Sequence, residues 1–206
     1  MLLLTLLVGC SEYRAIKQKP TEAVDPPGEN FDPFGDAPDW EGCPAGFFGR
    51  YYNIPRSHSD IEPLYEPYPQ DDPAELDWWD DEYLAFERFD PSLDFGQNWW
   101  PIDEGFDGDP SYFAVRWTAW IRVFESTDIE FVIGAADDFW LYIDDEPVFI
   151  QAGIHEFDST TIPVPLGDGQ FKLEALYAHR SGENGLRFRL LSEEAVICYP
   201  DFETEQ

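Results

Sequence analysis

Apolar and polar residues alternate along the second half of the chain. Every odd position in 113–123 is apolar, and charged or hydroxylated residues stand between several of them. The same period of two continues in 129–133, 171–177 and 186–190. Successive side chains of a strand point to opposite faces, so this alternation predicts half-buried antiparallel strands. No stretch has a convincing helical period.

Short segments rich in Gly, Pro and Asp separate these strands, which predicts an all-β fold, either an antiparallel β-sandwich or a barrel. The pattern is weaker between residues 53 and 109, where Pro-punctuated loops surround one strand predicted within 75–90. We therefore expect a single domain over 43–200 with long loops, followed by a polar tail at 201–206.

The chain begins with a Leu-rich run that is too short to cross a bilayer and is typical of a secretion signal. The residues "LVGC" that end at Cys10 resemble the processing box of bacterial lipoproteins, although the positively charged leader of that family is missing. The resemblance implies a signal peptide at 1–9, lipidation of Cys10, and a Pro- and acid-rich tether over 10–42. Ser11, rather than Asp, follows the cysteine, which indicates the outer membrane. An uncleaved hydrophobic tail is the alternative.

Two further cysteines, Cys43 and Cys198, flank nearly all of the patterned sequence. Secretion would place them in an oxidising compartment, where a disulfide persists. The sequence therefore predicts a Cys43–Cys198 bridge, with two free thiols as the alternative.

The charge balance argues against nucleic acid and against anionic membrane surfaces as binding partners. The chain has 43 Asp and Glu against 12 Lys and Arg, for a net charge of -31. Such a field repels nucleic acid and anionic membrane surfaces and favours cations. Aromatic residues make up 17% of the chain, too much apolar surface for a disordered acidic protein. Adjacent acidic pairs occur about as often as chance predicts, so such a pair is informative only through its position.

Two acidic pairs flank the apolar run "FWLYI" and differ in position. Asp137 and Asp138 follow a predicted strand at a strand-to-strand corner. Both could bind one ion only if their backbone is irregular, through a tight loop or a cis peptide, because neighbouring side chains of a strand point apart. A solvated corner without an ion is the alternative. Asp144 and Asp145 lie between two apolar runs and predict a hairpin turn.

Three segments, taken in order, resemble the protective-antigen fourteen-kilodalton domain family, and especially its fibro-slime branch. They are "GFFGRYYN" at 46–53, the stretch 112–150 that contains "RWTAW" and "ADDFWLYID", and the stretch 161–191 that contains "AHRSGENGLRF". This last motif and "AGIH" at 152–155 are closer to the fibro-slime type. The resemblance implies a β-sandwich-like barrel of antiparallel strands. The family occurs in adhesins, toxins, glycosidases and signalling proteins, largely as a carbohydrate-binding module.

The resemblance also implies a calcium site. In yeast adhesins of the family, two consecutive Asp joined by a cis peptide bind Ca²⁺, and the ion contacts sugar hydroxyls. Asp137 and Asp138 occupy the matching position. Phe139 stands where the motif usually has Gly, and Ala136 stands where the fibro-slime type often has a third acid.

Calcium takes six to eight oxygen ligands, so another loop must contribute. Asn184 matches the position of the adhesins' Asn ligand, and Glu183 is a nearby alternative. Gly182 and Gly185 would let this loop turn its carbonyl groups inward.

Four further residues are candidates for ligand contact. Trp99 and Trp100 lie at the centre of a predicted loop, where they either pack beneath the loop or form a stacking platform for a sugar ring. His179 and Arg180 lie near the predicted ion site.

No enzyme class is indicated. The three histidines, His58, His155 and His179, form no metal-binding spacing, and no nucleophile or phosphate-binding motif occurs. The sequence therefore predicts a non-catalytic, monomeric cell-surface lipoprotein that binds a glycan through Ca²⁺ and meets the membrane through its lipid. The alternative is an envelope or matrix scaffold that keeps the fold without binding sugar.

Overall fold

The alternating segments form strands in the computed structural model, which describes residues 34, 37–58, 76–99, 101, 109, 111–180 and 182–200. Cys10, Trp100, the signal peptide, nearly all of the tether and the polar tail lie outside the described residues. The described strands are β1 (Phe47–Asn53), β2 (Leu84–Asp90), β3 (Leu93–Gln97), β4 (Phe113–Val123), β5 (Thr127–Ala136), β6 (Asp138–Ile143), β7 (Glu146–Gln151), β8 (Asp158–Leu166), β9 (Gly169–His179), β10 (Gly185–Leu190) and β11 (Ala195–Cys198). Two one-turn 3₁₀ helices, Asp77–Trp79 and Asp81–Tyr83, precede β2. None of the helical segments in the described ranges has the length and apolar character that a membrane span requires.

The strands form two antiparallel sheets that pack as a sandwich. The larger sheet has the order β2-β1-β4-β9-β6-β7, with β11 also paired to β4, and the smaller sheet has the order β3-β10-β5-β8. The predicted antiparallel β-sandwich is therefore confirmed.

The main core lies between the two sheets. The larger sheet contributes the odd positions of β4, β6 and β9, such as Trp117 and Leu141, and the smaller sheet contributes residues such as Phe131 and Phe188. A second apolar cluster covers the opposite face of the larger sheet. It contains residues at even positions of β4, β6 and β9, namely Ala114, Trp140, Leu176 and Ala178. Trp78, from the first 3₁₀ turn, is fully buried in this second cluster. One end of the larger sheet is thus covered on both faces, which explains why β6 is almost continuously apolar.

The Cys43–Cys198 disulfide is confirmed. It joins residues 155 apart in sequence, with Cα atoms 5.9 Å apart. Ala45 forms a β-bridge with Cys198, so the bridge fixes the segment before β1 against the last strand.

The hairpin turn predicted at Asp144 and Asp145 is also confirmed. Both residues have positive φ, 49° and 66°, as a type I′ turn requires. The Lys172 backbone N–H donates to Asp144 Oδ1 at 2.7 Å, which attaches the turn to β9.

The outer edge of the smaller sheet carries two prolines. Pro163 and Pro165 lie on β8, opposite Glu130 and Asp128 of β5, and both are exposed. Proline is tolerated in sheets on such edge strands, because a missing N–H there costs no ladder bond.

One buried carboxylate joins the first two strands to the core. Asp90 is 3% exposed, and its Oδ2 accepts hydrogen bonds from Tyr51 Oη at 2.6 Å and Trp117 Nε1 at 2.8 Å. Arg88 Nε lies 2.7 Å from Asp90 Oδ1. Burial, followed by the charge of Asp90, raises the pKa of Tyr51 well above its ordinary value, so Tyr51 stays a donor.

Candidate functional site

Asp137 and Asp138 lie at the corner where the chain crosses from the smaller sheet to the larger one. β5 ends at Ala136 and β6 begins at Asp138. The backbone is irregular here, as the sequence analysis required, but the cis peptide joins Ala136 to Asp137. It therefore lies one bond before the position that the yeast-adhesin resemblance implied. Asp138 is already paired with Ala178 of β9, so the bond between the two aspartates enters a regular strand.

The side chain of Asp138 is fully buried and is held by a guanidinium group. Arg180 Nε donates to Asp138 Oδ2 at 2.7 Å, and Arg180 Nη2 donates to Oδ1 at 3.0 Å. The Gly153 backbone N–H donates to the same Oδ1 at 2.5 Å. Burial raises the pKa of Asp138, and the positive charge of Arg180 counters this effect. A two-point contact between a guanidinium and a carboxylate is the strongest common form of ion pair.

Arg180 is itself enclosed, with no exposed surface. Its guanidinium carbon lies 5.4 Å from the centroid of the Trp78 ring, within cation–π range. Its backbone N–H donates to Asp137 Oδ2 at 2.8 Å. Arg180 therefore bonds both aspartates, one through its side chain and the other through its backbone.

Asp137 faces the last residues of β9. Its Oδ2 lies 3.2 Å from Nδ1 of His179, and both side chains are buried. Two residues earlier on the same strand, Tyr177 Oη donates to the Ala136 carbonyl at 2.6 Å. Burial, followed by the charge of Asp137, raises the pKa of Tyr177 well above its ordinary value, which keeps this donor protonated.

Asn184, the third ligand implied by the resemblance, directly precedes Gly185 at the start of β10. Gly185 pairs with Ala136, so the antiparallel register places Asn184 across from Asp137. Asn184 is fully buried, and its Nδ2 donates to the Trp99 carbonyl oxygen. Its Oδ1 has no hydrogen-bond partner among the described residues. Glu183, the alternative ligand, is exposed beside it.

Of the four candidate ligand-contacting residues, the three that the structure describes are buried, namely Trp99, His179 and Arg180. Trp99 is 7% exposed, and its ring stacks on Phe95 with centroids 3.8 Å apart. This position matches the packing role that the sequence left open, and a sugar ring would have to displace Phe95 to stack on the same face. His179 and Arg180 are fully buried.

The architecture resembles solved PA14 domains. It matches the PA14 domain of the MpAFP antifreeze protein with a TM-score of 0.54 and 10% identity, over 81% of this chain and 97% of that one. It matches the PA14 sugar-binding domain from an RTX adhesin with a TM-score of 0.56 and 16% identity, over 76% and 99%. The chain has the PA14 fold. The Epithelial Adhesin 9 A domain from Candida glabrata, solved in complex with Galb1-4GlcNAc, has the same fold, with a TM-score of 0.55 and 13% identity over 84% and 98%. No protein-family model and no curated protein matches the chain.

The arrangement found in this PA14 fold does not fit a calcium site that uses Asp138. Calcium needs oxygen ligands on all sides, at 2.3–2.6 Å. Asp138 instead faces N–H donors on both of its oxygens, and one of these donors carries a positive charge. Across the described ranges, no group of three or more His, Cys, Asp or Glu side chains is placed to hold a metal ion. Asp137 and Asn184 would have to bind the ion beside a fixed guanidinium.

Two residues that complete this corner were not singled out from the sequence. Gly153 belongs to the loop after β7, and Trp78 belongs to the 3₁₀ turn before β2. Gly153 lies in the "AGIH" stretch that contributes to the family resemblance, which is a usable signal. Trp78 lies in a segment without periodicity, and nothing in the sequence relates it to Arg180.

Proposed function

We propose that the chain is a cell-surface lipoprotein, displayed through lipidated Cys10, whose β-sandwich is a non-catalytic, adhesin-like module that binds glycans. The observation that carries the proposal is the match to two PA14 domains, one named as sugar-binding and one solved with a disaccharide derivative, over nearly their whole length. The fibro-slime features of the sequence, in the "AGIH" and "AHRSGENGLRF" stretches, favour an extracellular or envelope setting.

The end of the sandwich that contains the Asp137 corner is the proposed binding face. The register pairs Gly185 with both Ala136 and Gln97, so the loops at the start of β10 and the end of β3 meet there. The loop between β7 and β8 joins them, because Phe139 pairs with Gln151 and Ala135 with Asp158. Loops gathered at one end of a rigid sandwich are the usual place for binding residues.

Several polar side chains on these loops are open to a ligand. Asn98, Glu156 and Glu183 are exposed, and His155 is partly exposed. Such side chains offer hydrogen-bond donors and acceptors to sugar hydroxyls. The net charge of -31 disfavours anionic polysaccharides, so we expect the ligand to be a neutral or amine-bearing glycan.

A glycan array read with the purified full-length protein tests this function. Binding to a neutral or amino sugar supports it, and silence across the array contradicts it. Duplicate arrays with Ca²⁺ and with chelator test the calcium dependence predicted from the resemblance.

Paired variants test the location of the site. Glu183→Ala and His155→Ala are expected to weaken binding. Asp145→Ala, at the opposite end of the β6–β7 hairpin, is the matched control and is expected to leave binding unchanged. If all three variants bind equally well, the binding site lies elsewhere on the protein. That result would not contradict glycan binding itself.

The lipid anchor is tested separately. Labelled palmitate is expected to enter the wild-type protein in cells, and Cys10→Ser is expected to abolish the label and release the protein from the membrane fraction. Labelling of the Cys10→Ser variant would contradict the anchor.

A scaffold function is the second candidate, favoured by the closed corner. Asp138 and Arg180 pair with each other inside the protein, and the buried Trp99 ring stacks on Phe95. Under this alternative the array is silent and the protein is recovered bound to other envelope or matrix components. Turnover on a panel of polysaccharides would contradict both candidates, since each is non-catalytic.

A further inference from the structure

We propose that Arg180 is a built-in cation that takes the place of a calcium ion at the Asp137–Asp138 corner, so that this sandwich orders the corner without metal. The inference concerns the corner itself and does not depend on whether the protein binds a glycan.

The hydrogen-bond geometry of Asp138 is the first argument. A carboxylate offers about four acceptor positions. Three are taken, two on Oδ1 by Gly153 N–H and Arg180 Nη2, and one on Oδ2 by Arg180 Nε. A calcium ion could reach only the position left on Oδ2, where it would lie beside the Arg180 guanidinium that donates to the same oxygen.

The charge balance is the second argument. Asp137 and Asp138 are 1% and 0% exposed, and two neighbouring buried carboxylates repel each other unless a positive charge lies between them. Arg180 supplies that charge and lies on the Trp78 ring. An added divalent ion would meet a fixed positive charge in a poorly solvated place, where like charges repel strongly.

The connectivity of Arg180 is the third argument. A bridging metal ion holds a corner by binding several groups at once. Arg180 also holds several groups at once, and it is part of the protein chain. Its backbone N–H donates to Asp137 Oδ2, and its guanidinium donates to both oxygens of Asp138. It directly follows His179, the last residue of β9, and β9 is paired with β6 up to Asp138, so the guanidinium is positioned by the sheet.

The test is the melting temperature of the full-length protein in chelator and in millimolar Ca²⁺, with Mg²⁺ as the control for weak binding to the acidic surface. We expect the wild-type melting temperature to be the same in chelator and in Ca²⁺ once the shift seen in Mg²⁺ is subtracted. A bound native-state ligand raises the melting temperature by mass action. A saturable, calcium-specific rise of several degrees that is lost in Asp138→Asn would therefore overturn the proposal.

Variants of Arg180 test the other half of the proposal. Arg180→Ala is expected to lower the melting temperature in chelator, because it leaves the buried Asp138 carboxylate without its paired cation. If Arg180→Ala gives no folded protein, Arg180→Lys, which keeps the charge but loses the two-point contact, is expected to melt below wild type and to stay insensitive to Ca²⁺. Wild-type stability in either variant, or a calcium-specific stabilisation of Arg180→Lys, would contradict the proposal. Asp94→Ala, which removes an exposed acid, is the matched control for surface charge.

Discussion

Replacing Asp90 with alanine is expected to destabilise the sandwich more than any exposed acidic substitution in the described part of the chain. The carboxylate accepts hydrogen bonds from Tyr51 Oη and Trp117 Nε1, and its second oxygen lies 2.7 Å from Arg88 Nε. Tyr51 and Trp117 are 2% and 0% exposed, so water cannot replace the lost acceptor.

The magnitude follows from the donors left without a partner. Each buried unsatisfied donor costs about 1–3 kcal/mol, and Tyr51 and Trp117 are two of them. Arg88 is partly exposed and recovers some hydration, so its contribution is smaller. The total agrees with the roughly 3–5 kcal/mol observed when one partner of a buried ion pair is removed. Asp90→Asn keeps one acceptor and is expected to cost less, about 1–2 kcal/mol.

Urea denaturation followed by tryptophan fluorescence measures the effect. The midpoint should fall for Asp90→Ala while the slope stays the same, since the surface exposed on unfolding does not change. Asp94→Ala is the control, because its bonds to Arg187 lie at the surface and contribute about 1 kcal/mol or less. If Asp90→Ala and Asp94→Ala shift the midpoint equally, the reasoning about buried donors is wrong.

Three further predictions concern stability. Burial raises the pKa of Tyr52 to about 12. The unfolded chain releases this proton near its ordinary pKa of 10, so stability is lost as pH rises from about 10 to 12, by up to about 3 kcal/mol. Since Tyr52 Oη has no hydrogen-bond partner among the described residues, Tyr52→Phe should match wild type near pH 7 and lose less stability in alkaline urea melts; an unchanged alkaline loss would refute this. Asp145→Gly should stabilise the protein by about 1 kcal/mol, because glycine adopts the φ of 66° at this position without strain. The melting temperature should therefore rise, and a lower one would refute the prediction. Reducing the Cys43–Cys198 bridge should cost about 2–5 kcal/mol, read as a lower urea midpoint in reductant, whereas a Cys43→Ala/Cys198→Ala variant should not respond to reductant.

The strands were predictable because their alternation is local. β4 buries its odd positions on the core side, as expected from 113–123 alone, and the turn at Asp144 and Asp145 follows from residues that tolerate positive φ. The disulfide was predictable because two cysteines flank the patterned region. Each of these inferences needed few residues and no knowledge of which strands pair.

The environment of the candidate site was not predictable by the same means. Asp138 and Arg180 are 42 residues apart, and their contact depends on β6 pairing with β9 in one particular register. An arginine at the end of a strand is compatible with a ligand contact or with a buried ion pair, and the choice depends on Trp78 covering it. Trp99 was ambiguous for the same reason, since an aromatic residue in a loop shows no periodicity that indicates which way its ring points.

Pro163 and Pro165 have a consequence for crowding. A sheet edge normally presents a row of N–H and C=O groups on which a strand from another molecule can add. At two alternate positions of β8 the N–H is absent, so a strand that approaches this edge would leave its own carbonyl oxygens without donors. Copies of the protein at high concentration are therefore hindered from joining their smaller sheets through β8 into a continuous intermolecular sheet.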